Sequence, residues 1–269
     1  MTALPVGYVV LSAGTAYAVG LEILRSPLEV ALGTGSFYAY AGRDPRARTL
    51  VGRGIAYAVS LPSASARVVV RRSRHGGLLA AMTGDRFAPP TRALRELQTS
   101  VRLTEAGVPT PEMIAFATYP AGPFRRADVV TREIPGAADL PAVLAEPLSD
   151  ERRRAVLLAV ARLVAALTLA GARHPDLNVK NILIQRTATG QVTAYVIDVD
   201  RIWFDRPGSS RVTERNMARL LRSARKWRRA GALDLADTDL GWLAAMAHHL
   251  VTEAAPADRP PETPPAAPV

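Results

Sequence analysis

The stretch HPDLNVKNILI, residues 174–184, sets an imidazole (His174), a carboxylate (Asp176) and a carboxamide (Asn181) close together, directly ahead of an aliphatic run. A second carboxylate, Asp198, follows another aliphatic segment in YVIDVDR. A positioned carboxylate can take a proton from a hydroxyl. Carboxylate and amide oxygens are also the hard donors that suit magnesium or manganese. The bland reading of the same residues is a turn in which Asp176 caps a backbone N–H. The surrounding elements decide between the two.

At 269 residues, 48% of them hydrophobic, the chain is long enough to bury a substantial core, as one large domain or two small lobes sharing a cleft. Without cysteine it has neither disulfides nor thiolate metal ligands, which gives an extracellular address no support. Lys and Arg outnumber Asp and Glu by 34 to 24, a formal charge of +10. Such a surface attracts polyanions, although an Arg- and Ala-rich chain also arises from a GC-rich genome. The basic residues lack the aromatic interleaving used by single-strand binders, so nucleic acid is not expected. The apolar N-terminus MTALPVGYVVLSAGTAYAVG lacks the basic start of a secretory signal and is expected to fold. The run at 155–172 carries Arg162 at its middle and is short for a membrane span, so it is not expected to cross a bilayer.

Along the chain, β-branched and aromatic residues flanking turn formers predict strands at about 54–60 and 67–72. A helix is predicted after Pro90, with Leu94, Leu97, Val101 and Leu103 at helical spacing and Gly107 as its stop. Strands follow at 113–119 and 127–134, and Pro135-Gly136 breaks the pattern. From 150 onward helices dominate, the first with Val156, Leu157, Val160, Leu163, Val164 and Leu167 on one face. NILIQRTATGQVTAYVIDVDR then predicts a hairpin turning at Thr189-Gly190. Residues 254–269 are Pro-rich and are expected to be a disordered tail.

Strands with one helix, a break, then helices enclosing a hairpin is the layout of protein-kinase-like folds. Asp176 and Asn181 resemble the kinase catalytic loop, where Asp meets the acceptor hydroxyl and Asn, five residues on, turns its oxygen to a magnesium ion on the nucleotide phosphates. Asp198 resembles the aspartate of the kinase Asp-Phe-Gly motif, with Val199 and Asp200 in place of Phe and Gly. His174 fits a structural part, holding the loop. In the first half, Gly52-Arg53-Gly54 could let the backbone lie close over phosphates, since glycine has no Cβ to obstruct the approach. The strand lysine of kinases is absent. Arg71 and Arg72 occupy its strand on opposite faces, and Arg71 is expected to point into the cleft and pair with Glu96 of the next helix. A helix-surface pair of Glu96 with Arg92 is the bland alternative.

Successive blocks, GRGIAYAV, VVVRRSRHGGL, GDRF, TRALRE, AGVPTPEMIA, ADVVTREIPGAADL, HPDLNVKNILI, VIDVDR and NMARLLRSARK, resemble in order the 3-deoxy-D-manno-octulosonic acid (Kdo) kinase family of lipopolysaccharide core kinases, from about residue 50 to 230. The resemblance implies an α+β, bilobal protein-kinase-like fold, with a small mainly antiparallel β lobe holding one key helix and a larger mainly helical lobe. The expected division is a nucleotide-binding lobe at 1–135, a catalytic lobe at 136–253 and the tail. It implies transfer of the γ-phosphate of ATP, with Mg2+, to a Kdo hydroxyl, the 4-position, on a lipid A precursor at the cytoplasmic face of the inner membrane. Asp176 would be the catalytic carboxylate, Asn181 and Asp198 the metal ligands, and Gly52, Arg53, Gly54, Arg71 and Glu96 nucleotide-site residues. A heptose kinase of the same core is the nearest alternative, followed by another kinase of this fold. A non-catalytic basic module is the non-enzyme rival. Departures are Ser73 where the family more often has an aromatic residue, His75 where a basic one is usual, and Val199 for Phe. Asp200 and Arg201 resemble the family's second acid and arginine and are expected to form an internal salt bridge, with acceptor carboxylate binding as the other role for Arg201.

A last pattern stands apart from the motifs. Arg211, Arg215, Arg219, Arg222, Lys226 and Arg229 fall on one side of a helix and Met217, Leu220, Leu221 and Ala224 on the other. Such a basic stripe would attract Kdo carboxylates, lipid A phosphates or the headgroups of an anionic membrane; the alternative is an ordinary solvated face.

Overall fold

The computed structural model describes residues 3–52, 54–73, 85, 87–88 and 91–254. Arg53, His75 and the Pro-rich segment from residue 255 lie outside the described residues; Ala254 closes the last helix instead of opening the tail.

The first half forms β1 (Tyr8–Leu11), β2 (Tyr17–Leu21), α1 (Arg25–Gly33), α2 (Phe37–Arg43), β3 (Arg48–Val51), β4 (Ile55–Ser60), β5 (Arg67–Arg72), α3 (Ala93–Glu105), β6 (Met113–Ala121) and β7 (Phe124–Arg132). Its seven strands make one sheet in the order β1-β2-β6-β7-β5-β4-β3, antiparallel at every pairing. Residues before 49, which match the family blocks only loosely, thus contribute two strands to the same sheet and two helices packed on one of its faces.

Strand alternation sends successive side chains to opposite faces. Val129 joins Ala93, Leu97, Met113 and Phe116 beneath α3. Its neighbour Val130 joins Val68, Val70, Leu28, Leu32 and Phe37 beneath α1 and α2. The same rule separates Arg71, on the α3 side, from Arg72, whose Nε donates to buried Asp128 at 2.9 Å while its guanidinium lies 4.6 Å from the Tyr38 ring of α2. Strand parity is therefore what brings Arg71 to the α3 face.

The second half comprises β8 (Ala138–Asp139), α4 (Leu140–Ala145), α5 (Asp150–Leu169), β9 (Ala172–Arg173), β10 (Ile182–Arg186), β11 (Val192–Val196), β12 (Trp203–Phe204), α6 (Ser210–Arg229) and α7 (Asp237–Ala254). Ser149 caps α5 by accepting from the Arg152 N–H. Val156, Leu157, Val160, Leu163, Val164 and Leu167 are all buried, and α5 packs against α6, α7 and β11. Among the described residues, no helix is long and apolar enough to cross a membrane. The chain is α+β with a mainly antiparallel sheet, an architecture compatible with a kinase-like fold.

Of the glycines that end helices in the left-handed region, Gly107 and Gly171 differ in their surroundings. Gly107 (φ 73°) follows α3 with nothing within 4 Å of an added Cβ. Gly171 (φ 69°) follows α5, and a Cβ there would lie 2.2 Å from the carbonyl oxygen of Asp205, whose N–H donates to the Gly171 carbonyl at 2.8 Å. Gly107→Ala should cost about 1 kcal/mol from backbone strain alone. Gly171→Ala should cost that plus about 1–3 kcal/mol of overpacking. Urea unfolding at unchanged m-value reads the difference; equal midpoints for the two variants would contradict it.

Candidate active site

The loop between β9 and β10 is built on buried polar groups. Asn216 of α6, fully buried, accepts the His174 backbone N–H at 2.9 Å through Oδ1 and donates to the Ala172 carbonyl at 2.9 Å through Nδ2. The His174 ring accepts the Asp176 N–H at Nδ1 (3.2 Å), so Nε2 carries the proton and donates to the Ile197 carbonyl at 3.2 Å. One imidazole thereby ties the start of the loop to the residue before Asp198. Ser223 of α6 accepts the Val179 N–H at 3.2 Å. These bonds fix the loop against α6 at two points.

Asp176 and Asn181 meet directly. The Asn181 amide nitrogen donates to the Asp176 carbonyl at 2.9 Å, and Asn178 Nδ2 reaches the same oxygen at 3.1 Å. With its nitrogen so engaged, the Asn181 carboxamide presents Oδ1 on its other side. The Ile197 N–H donates to the Asn181 carbonyl at 3.0 Å, continuing the β10–β11 ladder past Ile182↔Val196 and setting Asp198 beside Asn181. Asp198 itself is left-handed (φ 63°, ψ 47°), a conformation costly for a residue with a Cβ. The chain turns there into the short 3-10 segment Val199–Arg201, which packs against α3.

From the sheet, Arg71 forms an ion pair with Glu96 of α3, whose side chain is only 8% exposed. Burial works against the Arg71 charge, but Glu96, Asp198 and Asp200 outweigh it and hold the guanidinium protonated. Burial raises the Glu96 pKa, with Asp200 and Asp198 adding to the rise and Arg71 opposing it. Burial likewise raises Asp200, Asp198 adds to that, and Arg92 and Arg71 pull against it. Three carboxylates thus crowd one guanidinium whose side chain is 32% exposed. Such a surplus of negative charge is what a cation would relieve.

The sequence-predicted residues fall into connected groups. Asn181 is bonded to the Asp176 carbonyl and to the Ile197 N–H, one residue before Asp198, and Arg71 lies within electrostatic reach of Asp198. Gly52 and Gly54 form the β3–β4 turn, where the Gly52 N–H donates to the Gly54 carbonyl at 3.0 Å. Arg71 pairs in register with Ala56, which puts this turn at the Arg71 end of the sheet. Asp200 pairs with Arg92 at 3.4 Å, not with Arg201, which is exposed: the turn aims the acid at α3 and the arginine at solvent. Arg219 departs further from expectation. One of the six cations of the stripe, it ion-pairs with Asp176 at 2.6 Å. Its only sequence clue is its place three residues after Asn216, one helical turn along the face that grips the loop.

A guanidinium–carboxylate pair reaching from an antiparallel sheet to a helix, set beside a loop that offers Asp, Asn and a second Asp, defines a phosphotransferase-type site. The chain matches the sequence model of the lipopolysaccharide kinase (Kdo/WaaP) family over residues 48–244. It is 32% identical over 180 residues to a 3-deoxy-D-manno-octulosonic acid kinase of Vibrio parahaemolyticus, covering 65% of this chain and 71% of that one. Proteins of the same name from Haemophilus influenzae (31% over 199 residues; 71% and 79%) and Xylella fastidiosa (31% over 187 residues; 68% and 71%) are similar. The chain belongs to the lipopolysaccharide kinase (Kdo/WaaP) family, and it is a kinase.

His174 makes the loop sensitive to acid. Burial lowers its pKa below the usual 6.5, although the Ile197 carbonyl and the charges of Asp198, Asp176 and Asp200 partly oppose the shift. The unfolded chain gains this proton as pH falls through about 6.5 while the folded one does not, so the stability is complete above that pH and lost below it. The loss is at most about 1.4 kcal/mol per pH unit. Asp200 and Glu96, with raised values, act in the opposite sense. The expected signature is therefore a difference: between pH 7.5 and 5.5 the wild-type Tm should fall further than that of His174→Gln. Parallel slopes would show that His174 is not the titrating group.

Proposed function

We propose that this chain transfers the γ-phosphate of ATP to a Kdo hydroxyl, the 4-position, on a lipid A precursor, from the cytoplasmic face of the inner membrane. The observation that carries the reading is the juncture of Asp176 and Asn181 with Asp198 beside the Arg71–Glu96 pair. The sheet, up to about residue 135, acts as the nucleotide lobe and the helical remainder to 253 as the catalytic lobe. Arg71 holds the α- and β-phosphates, and the Gly52–Gly54 turn lies over them. Gly52 offers little hindrance, since a Cβ there would meet only the Gly54 carbonyl, at 3.9 Å.

Asp176 accepts the proton of the attacking hydroxyl as its oxygen bonds to phosphorus and ADP departs. Among the described residues, no group of three or more His, Cys, Asp or Glu could enclose a metal ion by itself. Two protein oxygens, from Asn181 and Asp198, fit Mg2+, which keeps waters and takes phosphates as its remaining ligands. Bound there, the ion would neutralise developing phosphate charge.

Asp176→Asn should lower kcat for phosphate transfer to a Kdo-bearing lipid acceptor by about 100- to 10,000-fold, with Tm little changed because the Arg219 pair is half-exposed. Asp198→Asn should abolish the rise in Tm that ATP with Mg2+ gives the wild type. Wild-type transfer to heptose but not to Kdo would replace the acceptor; full activity of Asp176→Asn would remove the assignment of the base.

The remaining cations of α6 suit a peripheral position on an anionic membrane. Arg211, Arg215, Arg222, Lys226 and Arg229 are exposed, while Met217, Leu220 and Ala224 are buried against the core and Leu221 is half-buried. Attraction to such a surface is about 1 kcal/mol per basic residue. Reversing Arg211, Arg215 and Arg222 to Glu should release the protein from vesicles containing phosphatidylglycerol but not alter its solubility. Unchanged co-sedimentation would return α6 to an ordinary solvated face.

A further inference from the structure

The pair between Arg219 and Asp176 is hard to reconcile with a base that merely waits for its hydroxyl. The Arg219 Nη2 lies 2.6 Å from the Asp176 Oδ1, yet the side chain of Arg219 remains 43% exposed while that of Asp176 is 21% exposed. The Arg219 Nε is buried and has no hydrogen-bond partner among the described residues. A guanidinium has a planar fork of donors matched to a two-oxygen anion, and here one of those donors is withdrawn from water without a partner. Such an unmade bond is costly unless something supplies the acceptor.

The placement of Arg219 says which side of Asp176 it serves. Arg71, by contrast, interacts with Glu96, Asp198 and Asp200. Arg219 comes instead from α6, in the row that carries exposed Arg215 and Arg222. Its backbone cannot drift, because Asn216, one turn earlier, is bonded to both His174 and Ala172, and Ser223, one turn later, to Val179. A fixed stem with a long, half-exposed side chain can swing its head a few ångströms while the loop stays in place.

We propose that Arg219 is the acceptor-binding residue for the sugar carboxylate. It is held on Asp176 when the acceptor site is empty and passes to the acceptor's carboxylate on binding, which frees Asp176 to receive the hydroxyl proton. This rests on the Kdo-kinase reading above and adds a substrate-recognition role to it. The acidic sugar supplies the two-oxygen anion that the fork lacks. The exchange also couples recognition to reactivity: an acceptor without the carboxylate leaves the guanidinium on the base.

The test crosses two enzymes with two acceptors: wild type and Arg219→Gln, each with the Kdo-bearing lipid acceptor and with its carboxyl methyl ester. Removing one partner of a charge-assisted contact costs about 10- to 100-fold. Wild-type kcat/KM should fall by about that factor on esterification, in kcat as well as in the acceptor KM because the guanidinium stays on Asp176, with the KM for ATP unchanged. Arg219→Gln should show the same loss on the free acid and little further loss on the ester. Arg219→Lys should recover part of it. If wild type uses acid and ester equally, or if Arg219→Gln loses only kcat and by the same factor on both, Arg219 merely positions Asp176 and the proposal is overturned. A higher KM for ATP alone would move the arginine to the nucleotide phosphate, which also overturns it. Wild-type transfer to neither acceptor would remove the Kdo reading itself and this inference with it. The wild-type comparison needs no variant to fold, and a Tm for each variant identifies any that does not.

Discussion

The guanidinium of Arg71 is the point on which the rest of the site depends. It leaves the central sheet on the α3 side, pairs with Glu96, and lies within the fields of Asp198 and Asp200. Withdrawing a charge from water is expensive unless partners compensate it, and for Arg71 of strand β5 the compensation is drawn from two other elements, helix α3 and the turn after β11. Arg92, which precedes α3 as its N-cap, adds a second link by pairing with Asp200, and Arg95 of α3 a third, donating to the Ile202 carbonyl at 3.4 Å. The position of α3 and the position of the Asp198 turn are thus one variable. A shift of the helix would unpair Glu96 and loosen the turn together, so the electrostatics also work as mechanical coupling.

The other side of the site is held by a different means. His174, Asn216 and Thr213 are buried polar residues, and each is bonded inward: Asn216 to the loop backbone, Thr213 to Thr168 at 3.0 Å, His174 to the residue preceding Asp198. Unsatisfied, such groups would favour unfolding; satisfied, they specify one register between α6 and the loop. The left-handed Asp198 is tolerable for the same reason. Its neighbours on both sides are fixed by Asn181, His174 and α3, so the strain persists because the surroundings over-determine it.

Much of this was legible from side-chain periodicity. The face of α5, the β10–β11 hairpin and the parity of Arg71 and Arg72 follow from steps of three, four and two, which depend on local geometry alone. Contacts far apart in sequence left no such trace. Nothing local marks Arg92 as the partner of Asp200, an interaction across 108 positions, and neighbour logic assigned that acid to Arg201. The apolar segments around Val9 and Val19 show no strong alternation, because the sheet buries both ends unevenly; Val19 is fully buried while exposed Val10 faces outward. Arg219 was misread for a related reason. Helical spacing places it correctly among the cations of α6, but the spacing does not say that the helix edge carrying it borders the catalytic-type loop.

The use of arginine on the strand where kinases commonly have lysine has a physical consequence of its own. An ammonium on this strand would be a compact charge, easily shifted toward neutrality by burial, with donors free to follow a moving phosphate. Arginine stays charged under burial and presents a rigid fork, so pairing with Glu96 fixes its plane. That rigidity suits a site in which burial and neighbouring acids both raise the Glu96 pKa, because Arg71 is the group that opposes the rise. In the proposed reading the phosphates then meet a donor array already oriented by the protein. On that reading the nucleotide need not organise the strand cation, and the adjustable group is Arg219, on the acceptor side; rigid on one flank and displaceable on the other, the two arginines would divide donor binding from acceptor recognition.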